Sequence, residues 1–473
     1  MRCNYILRFG FMMLVAGILT GCGGSKSGDP PTSAAPAVVS GTAAVGAALA
    51  GASVSIVDIG KSNVCAESTI VTTGTGEFSC TVLAGKSAPF LITVIDPSGA
   101  YQPMVSIVNT TPPAGSTLVA NATPLTTAIV AQLAPDRNAL SVVADPSLMN
   151  ANAIGIVTGK VLTQLGAVLS EIGAPANYDP FTTQIVAGTL ERAGNTADQV
   201  IETLRFDTVN GVIEVSSIDN PSAAVAVADM LTVNPSILPA PSSAVISLAD
   251  SLRYLSNQLQ TCFALPVNTR AQASDTTIPS SQGGPAVTSI APQCQNSFHS
   301  NYVQNGFTLG QRHYKLLTAN SMTGAKFSPP EVMRFIDDTS SDDHDIAILN
   351  LRYVDANGDV GNIIDIVQKF PGSATTSHPT DWWIYGNQQP VDSSISAAIQ
   401  DIRQYAPTPG TAPFLNAPVS YFRSAIILTV NMTGPGSTGM RAARIKGPGL
   451  PSAGVVLTRP DPSIITGQTY MNI

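Results

Sequence analysis

The sequence predicts a multidomain α+β protein with an N-terminal β-sandwich, a central helical region and a C-terminal α+β unit with additional β-strands. Its 473 residues suffice for about three domains of roughly 150 residues each. Strand-like runs separated by Gly and Pro turns fill residues 37–118, whereas apolar residues at spacings of three and four dominate residues 119–240. Residues 245–392 carry helical patterns first and long strands afterwards, which is typical of an α+β domain.

The composition limits the classes of partner. Only 11% of the residues are charged, the net charge is −8, and Lys and Arg form no cluster, so we expect no nucleic-acid partner. Hydrophobic residues make up 44% of the chain, which favours folded domains over disorder.

The amino terminus has the pattern of an export signal. Arg2 and Arg8 precede an apolar run, residues 9–19, that is short for a membrane span, which predicts a signal peptide over residues 1–21. The following Leu19-Thr20-Gly21-Cys22 resembles the lipobox of bacterial lipoproteins, whose cysteine is acylated and becomes the first mature residue. The resemblance implies a lipidated Cys22, with palmitate-type chains, whereas the alternative is a buried cysteine in an ordinary first helix.

The residues after the lipobox indicate where the chain resides. Gly23, rather than Asp, follows the cysteine, as is usual in outer-membrane lipoproteins of this type. Residues 22–36 are rich in Gly, Ser and Pro and predict a flexible tether. Loss of residues 1–21 shifts the net charge from −8 to −10, so acyl chains must supply the membrane attachment. We expect a protein anchored in the bacterial outer membrane, facing the periplasm or the cell surface.

Four cysteines remain in the predicted mature chain after Cys22. Three pairings are open on sequence grounds, and an exported protein meets oxidising conditions. We favour the two local disulfides, Cys65 with Cys80 and Cys262 with Cys294, over reduced buried thiols. No C-x-x-C motif or His pair accompanies them, so we expect no zinc.

The first predicted domain, residues 37–118, has the sequence pattern of short strands joined by turns. We place its strands at residues 52–57, 69–72, 77–82, 90–95 and 104–108. The succession of Gly41-Thr-Ala, Leu49-Ala-Gly-Ala-Ser-Val-Ser-Ile and Thr73-Gly-Thr-Gly-Glu-Phe-Ser resembles the carboxypeptidase regulatory-like family of prealbumin-like sandwiches. Its members are generally non-catalytic accessory modules, which is the role that the resemblance implies.

The second predicted domain, residues 119–240, is mainly helical. The apolar spacing predicts the following order, ending in a proline-rich connector: helices at 124–133, 148–172, 181–193 and 198–204, and a hairpin formed by 205–209 and 211–216.

The third predicted domain, residues 245–392, combines helices and strands. We expect the following order: a helix at 244–263, a polar loop at 268–284, a helical region at 298–317, and strands at 345–354, 361–369 and 382–386. Residues 393–473 form a β-rich segment with too few strands for a separate sandwich, so we expect it to pack on the preceding unit or to continue into further sequence.

The sequence lacks a complete catalytic or metal-binding motif of the kinds that are readily recognised. Pro435 stands where a nucleophile elbow needs glycine, and His299, His313, His344 and His378 occur in no metal-binding pattern. A calcium-like loop at 355–361 has Val360 in place of the required glycine, so a hairpin turn explains it better. We therefore predict no catalytic residue, metal ligand or cofactor.

One aromatic strand is the candidate ligand site. Asp381, Trp382, Trp383 and Tyr385 concentrate aromatic rings in a chain that has few. Because side chains alternate along a strand, Trp382 should face away from Trp383 and Tyr385. One ring would then fill the core and another would face a pocket or partner; simple core packing is the alternative.

These observations predict a non-enzymatic binding or structural scaffold in the bacterial envelope, anchored through Cys22. Envelope proteins or glycans are the candidate partners. The alternative is a ligand-binding or enzymatic pocket in residues 245–392, with acid or base chemistry by Asp381 or Tyr385. A cavity of several hundred cubic ångströms with convergent polar groups would favour this alternative.

Overall fold

The computed structural model describes residues 35–97, 101–209, 211–246, 248–279, 282, 284–304, 306–338 and 344–386, with the backbone of four short strands beyond them. These residues form a mixed α+β fold with several sheets. The predicted signal peptide, Cys22 and nearly all of the predicted tether lie outside the described residues.

The described residues up to 119 form seven strands in two sheets. The strands are β1 (Val38–Thr42), β2 (Ser53–Asp58), β3 (Ile70–Val71), β4 (Glu77–Thr81), β5 (Phe90–Ile95), β6 (Met104–Val108) and β7 (Thr117–Val119). One sheet has the order β4-β1-β7 and the other β3-β2-β5-β6. Side chains from both sheets share one hydrophobic core.

Strand β5 joins this core to the next one. Its continuous apolar sequence, Phe90–Ile95, is typical of a strand covered on both faces. Phe90 and Ile92 enter the core between the two sheets, whereas Leu91 enters a second core with Ile107 and the helices that follow. The sheet therefore supports the helical part of the chain.

The described residues in the middle of the chain form five α-helices and a small sheet. They are α1 (Pro124–Ala131), α2 (Ala139–Ala144), α3 (Ala151–Gln164), α4 (Gly166–Ile172), α5 (Thr196–Thr203), β8 (Leu204–Val209), β9 (Val212–Ser217) and β10 (Val225–Ala226). Helix α1 begins as the sequence predicts, with Pro124 in its first turn and a capping box between Thr123 and Thr126.

The helix predicted over residues 181–193 is wrong. This segment is irregular because its backbone groups bond to other parts of the chain. The Asp179 carboxylate accepts the N–H groups of Phe181 and Thr182, and the Thr42 hydroxyl donates to the carbonyl of Ile185. These partners replace the i to i−4 bonds of a helix.

The remainder is built on one five-stranded sheet. The elements are α6 (Leu248–Phe263), α7 (Val267–Arg270), β11 (Ala271–Asp275), β12 (Ala286–Ile290), α8 (Pro292–Gln295), β13 (Val303–Gln304), β14 (Phe307–Thr308), α9 (Leu309–Arg312), α10 (Tyr314–Thr318), β15 (Lys326–Phe327), β16 (Glu331–Ile336), β17 (Ile346–Val354), β18 (Val360–Lys369) and β19 (Trp382–Ile384). The sheet has the order β15-β17-β18-β19, and β16 also pairs with β17. Helix α6 covers one face.

Two expectations in this part need correction. The predicted loop at 268–284 contains β11, which forms a hairpin with β12. The predicted helical region at 298–317 starts with the hairpin β13–β14, and Gly306 adopts a φ of 75° at its turn, which is incompatible with a right-handed helix. The long strands β17 and β18 lie within one residue of their predicted bounds.

Four short strands are described in the C-terminal segment: β20 (Ile427–Leu428), β21 (Ala443–Ile445), β22 (Val455–Leu457) and β23 (Thr469–Tyr470). β20 pairs with β23, and β21 pairs with β22, both antiparallel. The other residues of 393–473 lie outside the described part of the chain.

Both predicted disulfides are confirmed. Cys65 bonds to Cys80 within the N-terminal core, and Cys262 at the end of α6 bonds to Cys294 in α8. Among the described helices, none alone has the length and apolar character of a membrane span; α3 and α4 meet that criterion only when joined across their 64° bend.

Candidate ligand-binding cavity

A cavity of about 590 Å³ lies where β6, α1, α2 and β8 meet the second face of the sheet formed by β16, β17 and β18. Its volume is within the range of small-molecule sites. Much of its wall is apolar, with contributions from Met104, Ala131, Leu140, Ile213, Met333 and Ile364. The cavity is therefore suited to an organic molecule with an apolar body.

Strand alternation places polar side chains at one end of this cavity. In β17, Leu349 and Leu351 belong to the core beneath α6, so Asn350 and Arg352 point to the opposite face. Asn350 lies opposite Ile364 of β18 in the register, and Arg352 lies opposite Asn362. Asn350, Asn362 and Ile364 all line the cavity.

Tyr101, Glu331 and Asn350 form a hydrogen-bonded cluster in the cavity wall. The Tyr101 hydroxyl donates to Glu331 Oε2, and Asn350 Nδ2 donates to the same oxygen at 3.0 Å and also to the Tyr101 hydroxyl. Burial raises the pKa of Glu331, although Arg205 and these hydrogen bonds oppose the rise. Burial and the charge of Glu331 raise the pKa of Tyr101 far above its usual range, which keeps the phenol protonated.

Arg205 supplies the positive charge beside this cluster. One of its Nη atoms lies 4.0 Å from Glu331 Oε1, and the other donates to the carbonyls of Leu204 at 2.6 Å and Glu202 at 3.2 Å, at the end of α5. A cation at a helix C-terminus also interacts favourably with the helix dipole. Gly46, at a φ of 97°, passes close by: a Cβ there would lie 3.4 Å from Glu331 and 3.5 Å from Arg205.

Arg352 connects the five-stranded sheet to the N-terminal part of the chain. This contact lies next to the cavity. One Nη atom lies 2.6 Å from Asp96 Oδ1 and 3.1 Å from the carbonyl oxygen of Ala50. The Arg352 and Asp96 side chains are 4% and 0% exposed. This buried ion pair links β17 to the segment that follows β5.

Asp207 of β8 adds a titratable group to the wall. Burial raises the pKa of Asp207 to about 7; Arg205 opposes the rise and Glu214 reinforces it. The charge of this wall therefore changes near neutral pH.

The aromatic strand that we predicted as a ligand site lies elsewhere, and none of its four residues lines this cavity. Trp382 is buried in the core with α6, whereas Trp383 stacks on His378 with ring centroids 3.5 Å apart. Asp381 Oδ1 accepts the backbone N–H of Ala374 at 2.8 Å and so closes a turn. The Tyr385 ring meets His299 edge to face at 5.1 Å. Trp383 and Tyr385 thus form a partly exposed aromatic surface with His299, and the buried His378 lies beneath Trp383.

A second buried polar cluster joins Tyr302, His313 and Asp365. His313 Nε2 and the Tyr302 hydroxyl both lie 3.1 Å from Asp365 Oδ2, and all three residues are at most 5% exposed. Although these groups resemble acid–base machinery, their enclosure fits a structural link between β18 and the segment that carries α9 and α10.

One group of metal-type ligands occurs among the described residues: Cys65, Glu67 and Cys80, with ligand atoms within 4.8 Å of one another. Because the two sulfurs are bonded to each other, the thiolates that a soft metal requires are not available. This group is therefore a disulfide beside a carboxylate.

No sequence motif pointed to the residues that shape the cavity, namely Tyr101, Arg205, Glu331 and Asn350. A signal was present in β17, where Asn350 and Arg352 alternate with leucines in a long strand. Such alternation is normally assigned to a solvent-exposed polar face. Here that face is covered by the N-terminal part of the chain.

Comparisons with protein-family models, with curated proteins and with solved structures give no match.

Proposed function

We propose that this chain is a lipid-anchored bacterial envelope protein that binds a small, largely apolar ligand and does not transform it. The lipobox-like Leu19-Thr20-Gly21-Cys22 supports the anchor. The observation that carries the binding role is the cavity of about 590 Å³, which has an apolar body and a polar end built from three separate parts of the chain.

Binding is favoured over catalysis by the state of the polar groups. Glu331, Tyr101 and Asn350 are engaged with one another, and Arg205 is bound to backbone carbonyls. An enzyme needs an acid, base or nucleophile placed against the substrate. Asp381 and Tyr385, the acid–base candidates of the sequence analysis, lie outside the cavity.

We also propose that strands β1–β7 form the β-sandwich that the sequence motifs resemble, a carboxypeptidase regulatory-like accessory module. Two sheets that share one core support this assignment. In this proposal the module forms one wall of the cavity and presents its outer surface to envelope proteins or glycans.

Binding of a neutral apolar fluorophore tests the proposed function. N-phenylnaphthylamine, added to the purified mature chain, should fluoresce with saturable binding. Filling the cavity with Ala131→Phe or with Leu140→Trp should abolish that binding; Leu140 is 39% exposed at the cavity wall, so it tolerates a larger ring. Ala151→Trp, on an exposed site of α3, is the matched control and should bind as the wild type does.

If the fluorophore does not bind, or if both cavity-filling variants are folded and bind it with unchanged affinity, the cavity is not a ligand site.

A further inference from the structure

We propose, resting on the acyl anchor of the proposed function, that the loop of residues 229–238 is a second membrane contact. In this proposal the loop places apolar side chains in the interface of a lipid bilayer and so orients the anchored chain. None of its residues lines the cavity, so the two sites can be tested separately.

Apolar side chains are concentrated on the outside of this loop. Four of them are exposed within eight residues: Met230 (39%), Leu231 (84%), Val233 (86%) and Ile237 (53%). The other exposed large apolar side chains of the described chain are scattered between residues 59 and 212. Single exposed apolar residues are common, whereas a larger group of them marks an interaction site.

The exposure of these side chains does not reflect the lack of a nearby core. Val227 and Ala228, which precede the loop, and Leu238 at its end are buried in the core formed with the helices. The chain therefore leaves that core after Ala228 and returns to it at Leu238, and the apolar side chains between these points remain outside.

Helix α3 holds both ends of the loop through two side chains that are one helical turn apart. Lys160 Nζ donates to the carbonyls of Asp229 at 3.1 Å and Met230 at 2.8 Å. Gln164 Nε2 donates to the carbonyl of Ser236 at 3.2 Å. Backbone groups of the loop thus have partners in α3, and the loop is held as an apolar projection.

The charges bonded to the loop suit the head-group layer of a membrane. Residues 230–249 contain no Asp, Glu, Lys or Arg. Asp229, the one carboxylate of the loop, accepts the N–H groups of Leu231 and Thr232 and pairs with Arg137. The two cations bonded to the loop, Arg137 and Lys160, outnumber this carboxylate, although the whole chain has a net charge of −8. Phosphates of lipid head groups would therefore meet a locally positive base beneath the apolar side chains.

A bilayer fits this loop better than a protein partner does. A stable protein interface takes about 20–30 residues on each side, whereas the loop has ten. Leu231 and Val233 project almost free of their own chain, and a fluid bilayer accepts such side chains without a matching groove. Two or three inserted side chains bind weakly, but an acyl anchor on the same chain raises the effective concentration of the loop at the membrane.

A polarity-sensitive fluorophore at position 231 tests the contact directly. The mature chain with Cys22→Ser and Leu231→Cys is labelled with a nitrobenzoxadiazole group, because its other four cysteines are in disulfides. On addition of phosphatidylcholine vesicles, the emission should shift to shorter wavelength and should be quenched by spin-labelled lipid. The same label at Val71→Cys, a 58% exposed site of β3, is the matched control and should remain in water. A label at position 231 that also remains in water overturns the proposal.

Charged substitutions measure how much the loop contributes. In the unlipidated Cys22→Ser chain, Leu231→Asp combined with Val233→Asp should weaken binding to phosphatidylcholine vesicles at least about tenfold, because two apolar side chains no longer leave water. Val71→Asp should bind as the Cys22→Ser chain does. Cosedimentation measures the binding, and circular dichroism checks that the variants are folded. Unchanged binding in the folded double variant contradicts the proposal.

Photo-crosslinking in cells distinguishes the bilayer from the other possible occupants. A benzophenone side chain at position 231 should give lipid adducts. Adducts with another protein, or with a second copy of this chain, overturn the membrane assignment. The vesicle assays need neither the acyl group nor the cavity. Failure of the loop alone therefore leaves the proposed function intact, whereas failure of the anchor is seen separately in Cys22→Ala.

Discussion

Arg352 and Asp96 are 256 positions apart in the sequence, yet they form an ion pair of 2.6 Å that is almost fully buried. The aspartate follows β5 in the N-terminal part, and the arginine lies in β17 of the five-stranded sheet. The pair lies beside the cavity, because Asn350, two positions before Arg352 in β17, is one of the cavity-lining residues.

Breaking this pair should destabilise the protein strongly. Asp96→Ala leaves the buried Arg352 without its paired carboxylate, and we expect a loss of about 3–5 kcal/mol in the free energy of unfolding, measured by urea denaturation. Lys86 and Asp58 form a control pair at the same distance of 2.6 Å, but with side chains 22% and 19% exposed. Lys86→Ala should change stability far less, because water screens a pair near the surface. Similar losses in the two variants would contradict a special role for the buried pair.

The two disulfides should stabilise the fold to different extents. Their cysteines are 15 residues apart for Cys65–Cys80 and 32 residues apart for Cys262–Cys294. Because a cross-link restricts the unfolded chain more when it closes a longer loop, replacing both cysteines by serine should cost about 3 kcal/mol for the first pair and about 4 kcal/mol for the second. Thermal unfolding of the two double variants, with and without a reductant, measures this. A reductant that lowers the melting temperature of the wild type but not of the quadruple variant confirms that disulfides carry the effect.

Lipidation at Cys22 is predicted to hold the chain on the membrane. The wild type should yield a mature chain that begins at Cys22 and carries the mass of its acyl groups, detected by intact-protein mass spectrometry of the membrane fraction. Cys22→Ala should release the chain into the soluble fraction or leave an uncleaved precursor. Cys3→Ala is the control, because Cys3 lies in the predicted signal peptide and should not affect the final mass. Normal mass and membrane retention in Cys22→Ala would show that the anchor lies elsewhere.

Sequence patterns predicted those elements whose structure depends on nearby residues. The apolar run at residues 90–95, the long strands at 345–354 and 361–369, and the proline-initiated helix at 124 all correspond to observed elements. Both disulfide pairings also followed from proximity in sequence and from the predicted compartment. In these cases side-chain periodicity and chain connectivity were sufficient.

The features that the sequence did not predict depend on distant partners. Residues 181–193 lack a helix because Asn121 and Thr42 bond to their backbone from another part of the chain. Asn350 and Arg352 alternate with leucines as exposed residues would, yet Tyr101 and Asp96 cover them. A single sequence contains the alternation but not the identity of the covering surface. The cavity was therefore not predictable, although its polar residues were visible in the pattern.

The titration of Asp207 gives the protein a pH-dependent stability that can be isolated by substitution. Burial raises the pKa of Asp207 from 3.8 to about 7 in the folded chain. The folded state therefore holds the proton more tightly than the unfolded state, so the stabilisation is complete below about pH 3.8 and is lost as the pH rises through about 7.

We expect Asp207→Asn to flatten this dependence. Between about pH 4 and 7, Asp207 contributes a fall of up to about 1.4 kcal/mol in unfolding free energy per pH unit, which the variant should lack. The variant should also be more stable than the wild type above pH 7, since no buried charge forms. Asp136→Asn is a control at the wall of the same cavity. A hydrogen bond from Ser141 lowers the pKa of Asp136 below 3.8, so this carboxylate stabilises the fold above that pH and loses its contribution only in more acidic solution. The variant should therefore keep the wild-type slope between about pH 4 and 7. Asp198, whose pKa burial also raises to about 7, remains in the variant and leaves a residual slope. Urea denaturation at a series of pH values measures these differences, and identical profiles for Asp207→Asn and the wild type would contradict a neutral, buried Asp207.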